Sequence, residues 1–304
     1  MAISRAQLVK ELEPGLNALF GLEYKQYENQ HAEIYTTESS DRAFEEEVML
    51  SGFANANVKV EGSGISYDEA QETYTARYTH DTIALAFSIT EEAIEDNLYD
   101  RLASRYTKAL ARSMSNAKQV KAVTPLIQGL PSTDNFDSGD AVSLFSTNHA
   151  TVSGTAVKNT LTTQADLNET SLEQGLIDIA GMTDERGLRV AARGVKMIIP
   201  SANQFNAERL MKSQGRTGTA DNDINAVASM GMVPQGYRVN NFLTDTDSWY
   251  IITDVPNGMK MFQRAALKTA MEGDFDTGNV RYKARERYSF GVSDYRGIFG
   301  VEGA

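Results

Sequence analysis

The chain has 304 residues, 41% hydrophobic and 23% charged, which is typical of a folded globular protein of about two domains. It contains no cysteine, and this excludes disulfides, thiolate metal sites and cysteine nucleophiles. With 29 basic and 41 acidic residues its formal net charge is −12, which disfavours a dedicated nucleic-acid binder or a partner of anionic membranes.

The N-terminal region predicts two helices joined by an extended arm. Apolar residues at helical spacing predict a first helix over Ser4–Phe20. Residues 21–40 have no clear period and predict the arm. A short acidic helix is predicted over Asp41–Met49, because Phe44 and Val48 lie four residues apart, as on one helix face.

A long β-hairpin is predicted next, since side chains alternate with period two over Asn57–Tyr67 and Glu72–Ile89. Residues 68–71 lie between these arms and form the expected tip. The outer half carries few large aliphatic side chains, and an isolated two-stranded ribbon is only marginally stable in water. We therefore expect this hairpin to pack against a partner surface.

The longest helical pattern begins at Thr90, a good N-cap, and its apolar residues recur at helical spacing from Ile94 to Ala117. Pro125 is its predicted stop. About 31 residues at a rise of 1.5 Å give a rod of roughly 45 Å. Residues 129–165 are rich in Gly, Ser, Thr, Asp and Asn and predict loops with short strands.

The second half of the chain predicts a mixed region. Capping boxes open helices at Ser171 and Ser201, with Gly187 and Gly215 as their expected ends. The apolar run Val195–Ile199 is short enough to be a buried strand. Further strands are expected at 237–243, at 249–253 and from residue 262 to the end, with a turn at 256–258.

Four basic residues occupy alternate positions of the last long predicted strand: Arg281, Lys283, Arg285 and Arg287. One strand face paired with an acidic partner is the favoured interpretation, and contact with DNA is the alternative.

Catalytic and cofactor motifs are missing from the sequence. Asp221, Asp223 and Asn225 match the first calcium-loop positions, but the later ligand positions do not fit. Gly291–Tyr295 lacks the second glycine of a nucleophile elbow. We therefore assign no catalytic, cofactor-binding or metal residue and expect no enzyme, with a soluble hydrolase as the weakest alternative.

The order of elements resembles the major capsid proteins of tailed bacteriophages, which have the Hong Kong 97-type fold, and especially Mu-like major head subunits. The likeness is carried by four stretches: GISYDEAQETYTARYTHDTIALAFSITEEAIEDNLYD (64–100), LFSTNHAT (144–151), VKMIIPSANQFNAERLM (195–211) and VRYKARERYSFGVSDYRGIFG (280–300).

This resemblance implies an α+β fold with four parts: an N-terminal arm at 1–49, an extended hairpin loop at 50–88, a peripheral domain with a spine helix at 89–164 and 261–304, and an axial domain at 165–260. It also implies that the extended loop lies over a neighbouring subunit. The expected interface residues are Lys59, Val60, Ile65, Tyr67, Tyr74, Arg77 and Tyr78, together with the four basic residues Arg281, Lys283, Arg285 and Arg287.

The implied function is self-assembly into the hexamers and pentamers of an icosahedral head. This head would enclose double-stranded DNA without binding it specifically, and no membrane is involved. A separate scaffolding protein and a portal are the expected partners, no cofactor is needed, and the virion, assembled in the host cytoplasm, is the expected location. An encapsulin-type bacterial compartment, which shares the fold but encloses protein cargo, is the alternative.

Overall fold

The computed structural model describes residues 5–90, 92–93, 99–133, 135–215, 223–274 and 278–304. The helices of these residues are α1 (Arg5–Gln26), α2 (Tyr99–Gln128), α3 (Glu169–Ala180), α4 (Gln204–Lys212) and α5 (Ala226–Met230). The strands are β1 (Thr36–Ser39), β2 (Phe44–Leu50), β3 (Glu72–Thr79), β4 (Asp81–Ile89), β5 (Gly194–Ile199), β6 (Tyr237–Val239), β7 (Trp249–Thr253), β8 (Met259–Gly273), β9 (Val280–Val292) and β10 (Ile298–Val301). None of the helices so described is both long and apolar enough to cross a membrane.

The strands form two four-stranded sheets and one separate ribbon. The first sheet has the order β1-β8-β9-β4, the second sheet has the order β10-β7-β5-β6, and β2 pairs only with β3. The second sheet lies in the main hydrophobic core with α3 and α4, around fully buried side chains such as Trp249 and Phe299. A second, smaller core forms where α1 and α2 pack on the first sheet, around Phe20, Met114 and Tyr282.

The first helix and the long helix both continue past their predicted C-terminal ends. The first helix is confirmed and continues to Gln26, with Pro14 inside it, so the extended arm predicted from residue 21 is wrong over its first six residues. The stop predicted at Pro125 is also wrong, because α2 continues to Gln128. Leu126 and Leu130 are buried in the main core, and their burial favours one more helical turn despite the proline. The predicted first turn after Thr90 lies partly outside the described residues.

The acidic helix predicted over Asp41–Met49 is wrong, since this segment forms β2, antiparallel to β3. A spacing of four residues places Phe44 and Val48 on one face of a strand as well as of a helix. The exposure of β2 alternates residue by residue, as expected for a strand. The preceding arm also contributes β1, which pairs parallel to β8.

The predicted hairpin is partly correct. Its second arm is confirmed as β3 and β4, which are separated at His80, but its first arm over 57–67 contains no strand. The chain reverses at a turn in which the Ser63 N–H donates to the Val60 carbonyl at 3.1 Å, so the tip predicted at 68–71 is wrong. Gly62 has a φ of +79°, which glycine adopts without strain and which suits the third position of a type II turn.

The second half follows the prediction in its strands, but its helices begin and end elsewhere. The capping box predicted at Ser201 is wrong, since residues 201–203 form a 3-10 turn and α4 begins at Gln204. Asn168, and not Ser171, is the N-cap of α3: its side chain accepts the Ser171 N–H at 2.9 Å, and the Ser171 hydroxyl accepts the Asn168 N–H at 3.0 Å. This helix ends at Gly181, earlier than Gly187. The buried strand at 195–199 is confirmed as β5.

Candidate assembly surface

A long exposed part of the described chain is the ribbon, defined as residues 44–79, which consists of β2, β3 and the loop 51–71. At the neck of the loop, the Ser51 N–H donates to the Gln71 carbonyl at 2.8 Å, and the Ala54 N–H donates to the Asp68 carboxylate at 2.7 Å. Residues 53–71 are all exposed. The loop therefore keeps its closed neck while contributing nothing to the hydrophobic cores.

Large apolar side chains are concentrated on this exposed ribbon. They are Phe44, Val48, Leu50, Phe53, Val58, Val60, Ile65 and Tyr67. Val58 is 94% and Tyr67 96% exposed. Contiguous exposed apolar surface marks interaction sites in soluble proteins. Of the expected interface residues, Lys59, Val60, Ile65 and Tyr67 all lie on this loop and are exposed.

The root of the ribbon is fixed to its own subunit by two tyrosines. Tyr78 is buried, its ring meets Phe262 edge-on at 4.7 Å, and its hydroxyl bonds with that of Ser293. A β-carbon added at Gly291 would lie 2.6 Å from the Tyr78 ring, so only glycine leaves room for it. Tyr74 is half-buried, and its hydroxyl donates to the Ser293 carbonyl at 3.4 Å. The structure thus places two of the expected interface tyrosines against the subunit itself.

Arg77, between these tyrosines, points to the exposed face of the ribbon. Its guanidinium lies 4.1 Å from the centre of the Phe44 ring and 3.7 Å from the Glu46 carboxylate. Both contacts join β2 to β3 at the surface, where such pairs contribute little to stability. Arg77 therefore remains available to a partner.

A buried polar cluster beneath the root was missed from the sequence. The His149 ring stacks on Tyr295 at 3.8 Å, and its Nδ1 lies 2.6 Å from the Asp140 carboxylate. Arg296, next to Tyr295, bonds to the buried carboxylates of Glu185 and Asp294. Burial raises the pKa of Asp294, against the opposing effect of Arg296. In the sequence, the signal for this cluster was His149, a single histidine in a segment without a regular pattern.

The four basic residues of β9 form one face of the first sheet, here called the basic face. Arg281, Lys283 and Arg285 are exposed and Arg287 is half-buried. Arg281 pairs with Asp274, and Arg287 donates to the His80 carbonyl at 3.4 Å. Lys283 and Arg285 have no ion pair with any residue that the structure describes. The sequence pattern therefore placed these four residues on one strand face correctly, and a contact of this face with another subunit stays a prediction.

On the opposite face of β9, the charge of Glu286 is balanced by a residue of the same subunit. Glu286 is fully buried, with the Lys118 ammonium of α2 at 3.2 Å and the Tyr24 hydroxyl of α1 donating to its carboxylate at 3.4 Å. Burial raises the pKa of Glu286, and Lys118 opposes this shift. These contacts join α1, α2 and the sheet, and they leave the basic face as the accessible charged side of the sheet.

Within the described ranges, no three acidic or histidine side chains converge as metal ligands would. Asp221 of the calcium-like pattern lies outside the described residues. What the arrangement offers is an exposed ribbon rich in large apolar side chains and an exposed basic sheet face, and exposed apolar surface of this kind marks interaction sites.

Comparison with known proteins identifies similar chains. A family model described as phage capsid protein matches residues 73–301. The capsid of an empty GTA particle aligns with a TM-score of 0.58 and 13% identity, over 90% of this chain and 89% of that one. The procapsid of bacteriophage JBD30 aligns at 0.55 and 13%, over 99% and 77%. A virus-like particle from Pyrococcus furiosus aligns at 0.54 and 10%, over 95% and 98%. No curated protein matches. The structural matches confirm the expected α+β capsid fold.

Proposed function

Because the chain belongs to the phage capsid protein family, and is thus a structural protein of a virion shell, we propose that it is the major subunit of an icosahedral head around packaged double-stranded DNA. The observation that carries this proposal is the exposed ribbon. It presents a row of large apolar side chains that the described part of its own subunit leaves uncovered. Such a surface suits a protein that associates with neighbours which cover it.

We propose the following division of the subunit for assembly into hexamers and pentamers: an arm at 1–49, an extension at 50–88, a peripheral domain at 89–164 and 261–304, and an axial domain at 165–260. β2 (Phe44–Leu50) lies almost entirely within the range of the arm but pairs with β3, so we group it with the extension. The exposed loop residues Lys59, Val60, Ile65 and Tyr67 then contact a neighbouring subunit.

The charges support a shell that encloses its genome without binding it specifically. A subunit of net charge −12 repels phosphates overall. The basic face is matched by carboxylates on the ribbon, since Glu61, Asp68, Glu69 and Glu72 are all exposed. Pairing of these groups between subunits would neutralise the basic face without DNA. A separate scaffolding protein, a portal and assembly in the host cytoplasm complete the proposal.

Electron microscopy of the purified protein tests this function, with expression both alone and beside the neighbouring genes. We expect closed shells or rings, because a repeated contact between identical subunits forms a closed assembly when its rotation closes. A strict monomer at high concentration, especially one with a defined small-molecule ligand, would overturn the proposal.

A shell that encloses protein cargo is the second candidate, and the similarity to the virus-like particle from Pyrococcus furiosus is the observation that favours it. The contents of shells isolated from infected or induced host cells distinguish the two. Nuclease-protected DNA supports a phage head, whereas a single co-purifying protein without DNA supports the compartment.

A further inference from the structure

The outermost strand of the first sheet has an open edge. β4 pairs with β9 along all nine of its residues, from Asp81↔Tyr288 to Ile89↔Val280. On its other side, no strand of the described chain joins the sheet. Residues 82–89 read TIALAFSI and contain no charge or proline. Edge strands of this kind pair with another chain unless they are covered or charged.

A second segment of the same chain has the pattern of a strand but no partner strand within the described residues. Residues 57–61 (NVKVE) alternate as a strand should, yet they belong to no strand of the subunit. The backbone of residues 55–59 makes no hydrogen bond within the described residues. Val58 and Val60 are both strongly exposed. This limb therefore offers free backbone donors and acceptors together with residues of high β-propensity.

We infer that residues 55–60 of one subunit add as a further strand to the open edge of β4 in a second copy of the chain. This inference rests on the proposed function and specifies which contact the ribbon makes. Strand addition would satisfy two unpaired backbone edges at once, and main-chain hydrogen bonds supply the affinity in such pairings. Self-assembly makes a second copy available at high local concentration.

The side chains of the two segments are complementary on one face. Leu85 of β4 is 47% exposed, although Ile83 and Phe87 on the same face pack towards the second core. An added strand presents Val58 and Val60 on one face and Lys59 on the other. Placing the two valines beside Leu85 would extend the apolar layer under the sheet.

On the other face an added strand carries both Lys59 and Glu61, and of these two only Glu61 is opposite in charge to the basic face. There β4 carries small side chains, including Ala84 and Ala86. A groove of about 590 Å³ beside Ala86 is lined mainly by the end of β8 and by Arg281 and Lys283, and it also holds Glu272 and Asp274. An added strand lies two strand spacings, about 10 Å, from β9. This separation is within the combined reach of a long basic side chain and the Glu61 carboxylate that follows the limb.

Disulfide mapping tests the strand addition directly, because the chain has no cysteine of its own. Val58→Cys subunits carrying an affinity tag are mixed with untagged Leu85→Cys subunits before assembly, and the shells are then oxidised. We expect linked dimers only in the assembled mixture and not in either variant alone. A disulfide requires β-carbons about 4 Å apart, so Leu85→Cys should react about tenfold more than Ala86→Cys, whose side chain points to the other face.

Tyr67→Cys, on the other limb of the loop, is the matched control and should not react with Leu85→Cys. Normal shells without the Val58–Leu85 link, or with equal reaction at Leu85→Cys and Ala86→Cys, would overturn the strand addition while leaving the proposed function intact. If unsubstituted protein forms no shells at all, the proposed function itself fails, and the inference fails with it.

Discussion

Shortening the ribbon should abolish assembly without unfolding the subunit. The change replaces residues 52–70 by a Gly-Ser turn of about four residues between Ser51 and Gln71, whose backbone hydrogen bond closes the neck. Because the removed side chains are almost all exposed, no buried apolar area is lost. Reducing the loop by about two doublings in length lowers its closure cost by roughly 1.2 kcal/mol. Loss of the hydrogen bond from Arg186 to the Glu69 carbonyl offsets about 1 kcal/mol of this.

The dissociated subunit should therefore melt within about 3 °C of the unmodified protein, since 1 kcal/mol corresponds to roughly 2 °C for a chain of this size. Differential scanning calorimetry measures this, and negative-stain micrographs of the same preparation should show no closed particles. Tyr78→Ala is the contrasting variant. It empties a buried site at the ribbon root and should cost about 3–5 kcal/mol. A shortened ribbon that unfolds the subunit, or one that still closes into normal shells, would refute the reasoning.

Three further predictions concern the interior. Gly291→Ala should lower the free energy of unfolding in urea by about 1–3 kcal/mol, because its β-carbon would overlap the Tyr78 ring. His31 is buried beside Lys118, and burial followed by that charge lowers its pKa to about 4 from about 6.5 in the unfolded chain. Its neutral form therefore stabilises the fold fully above about pH 6.5, and this contribution should decline as the pH falls to about 4; His31→Phe should flatten the unfolding free energy over that window. Lys118→Met should cost about 3–5 kcal/mol by leaving Glu286 buried without its partner, whereas adding Glu286→Leu should recover most of the loss in the same urea titration.

The fold class followed from the resemblance to a known family, whereas most strands were predictable because their signals are local. The alternation of basic and apolar residues in β9 and the apolar run of β5 each specify an element without reference to the rest of the chain. The errors have a common physical cause. The pattern of Phe44 and Val48 fits both a helix and a strand, and only pairing with β3, some thirty residues away, decides between them.

Helix ends depended on the same distant contacts. Burial of Leu126 extends α2 beyond Pro125, and no local signal reports this burial. For the assembly surface too, some features were predictable from local sequence and others depended on distant residues. Exposure of Val60, Ile65 and Tyr67 followed from the scarcity of aliphatic neighbours in the loop. The inward orientation of Tyr78 required Gly291 and Ser293, which are more than two hundred residues away. The contacts of the expected interface residues with other subunits remain a prediction.

The two long strands β8 and β9 join two separate cores, and this has a mechanical consequence. Met259 and Met261, near the start of β8, belong to the main core, whereas Leu267 and Met271 pack against the core beneath α1 and α2. Between these pairs, the register of β8 against β9 shifts twice, at 263–265 and at 265–268. Irregularities of this kind are where strands bend most readily. A flexure confined to residues 263–268 would tilt one core against the other while both keep their packing, so a single polypeptide could fit surfaces of different curvature.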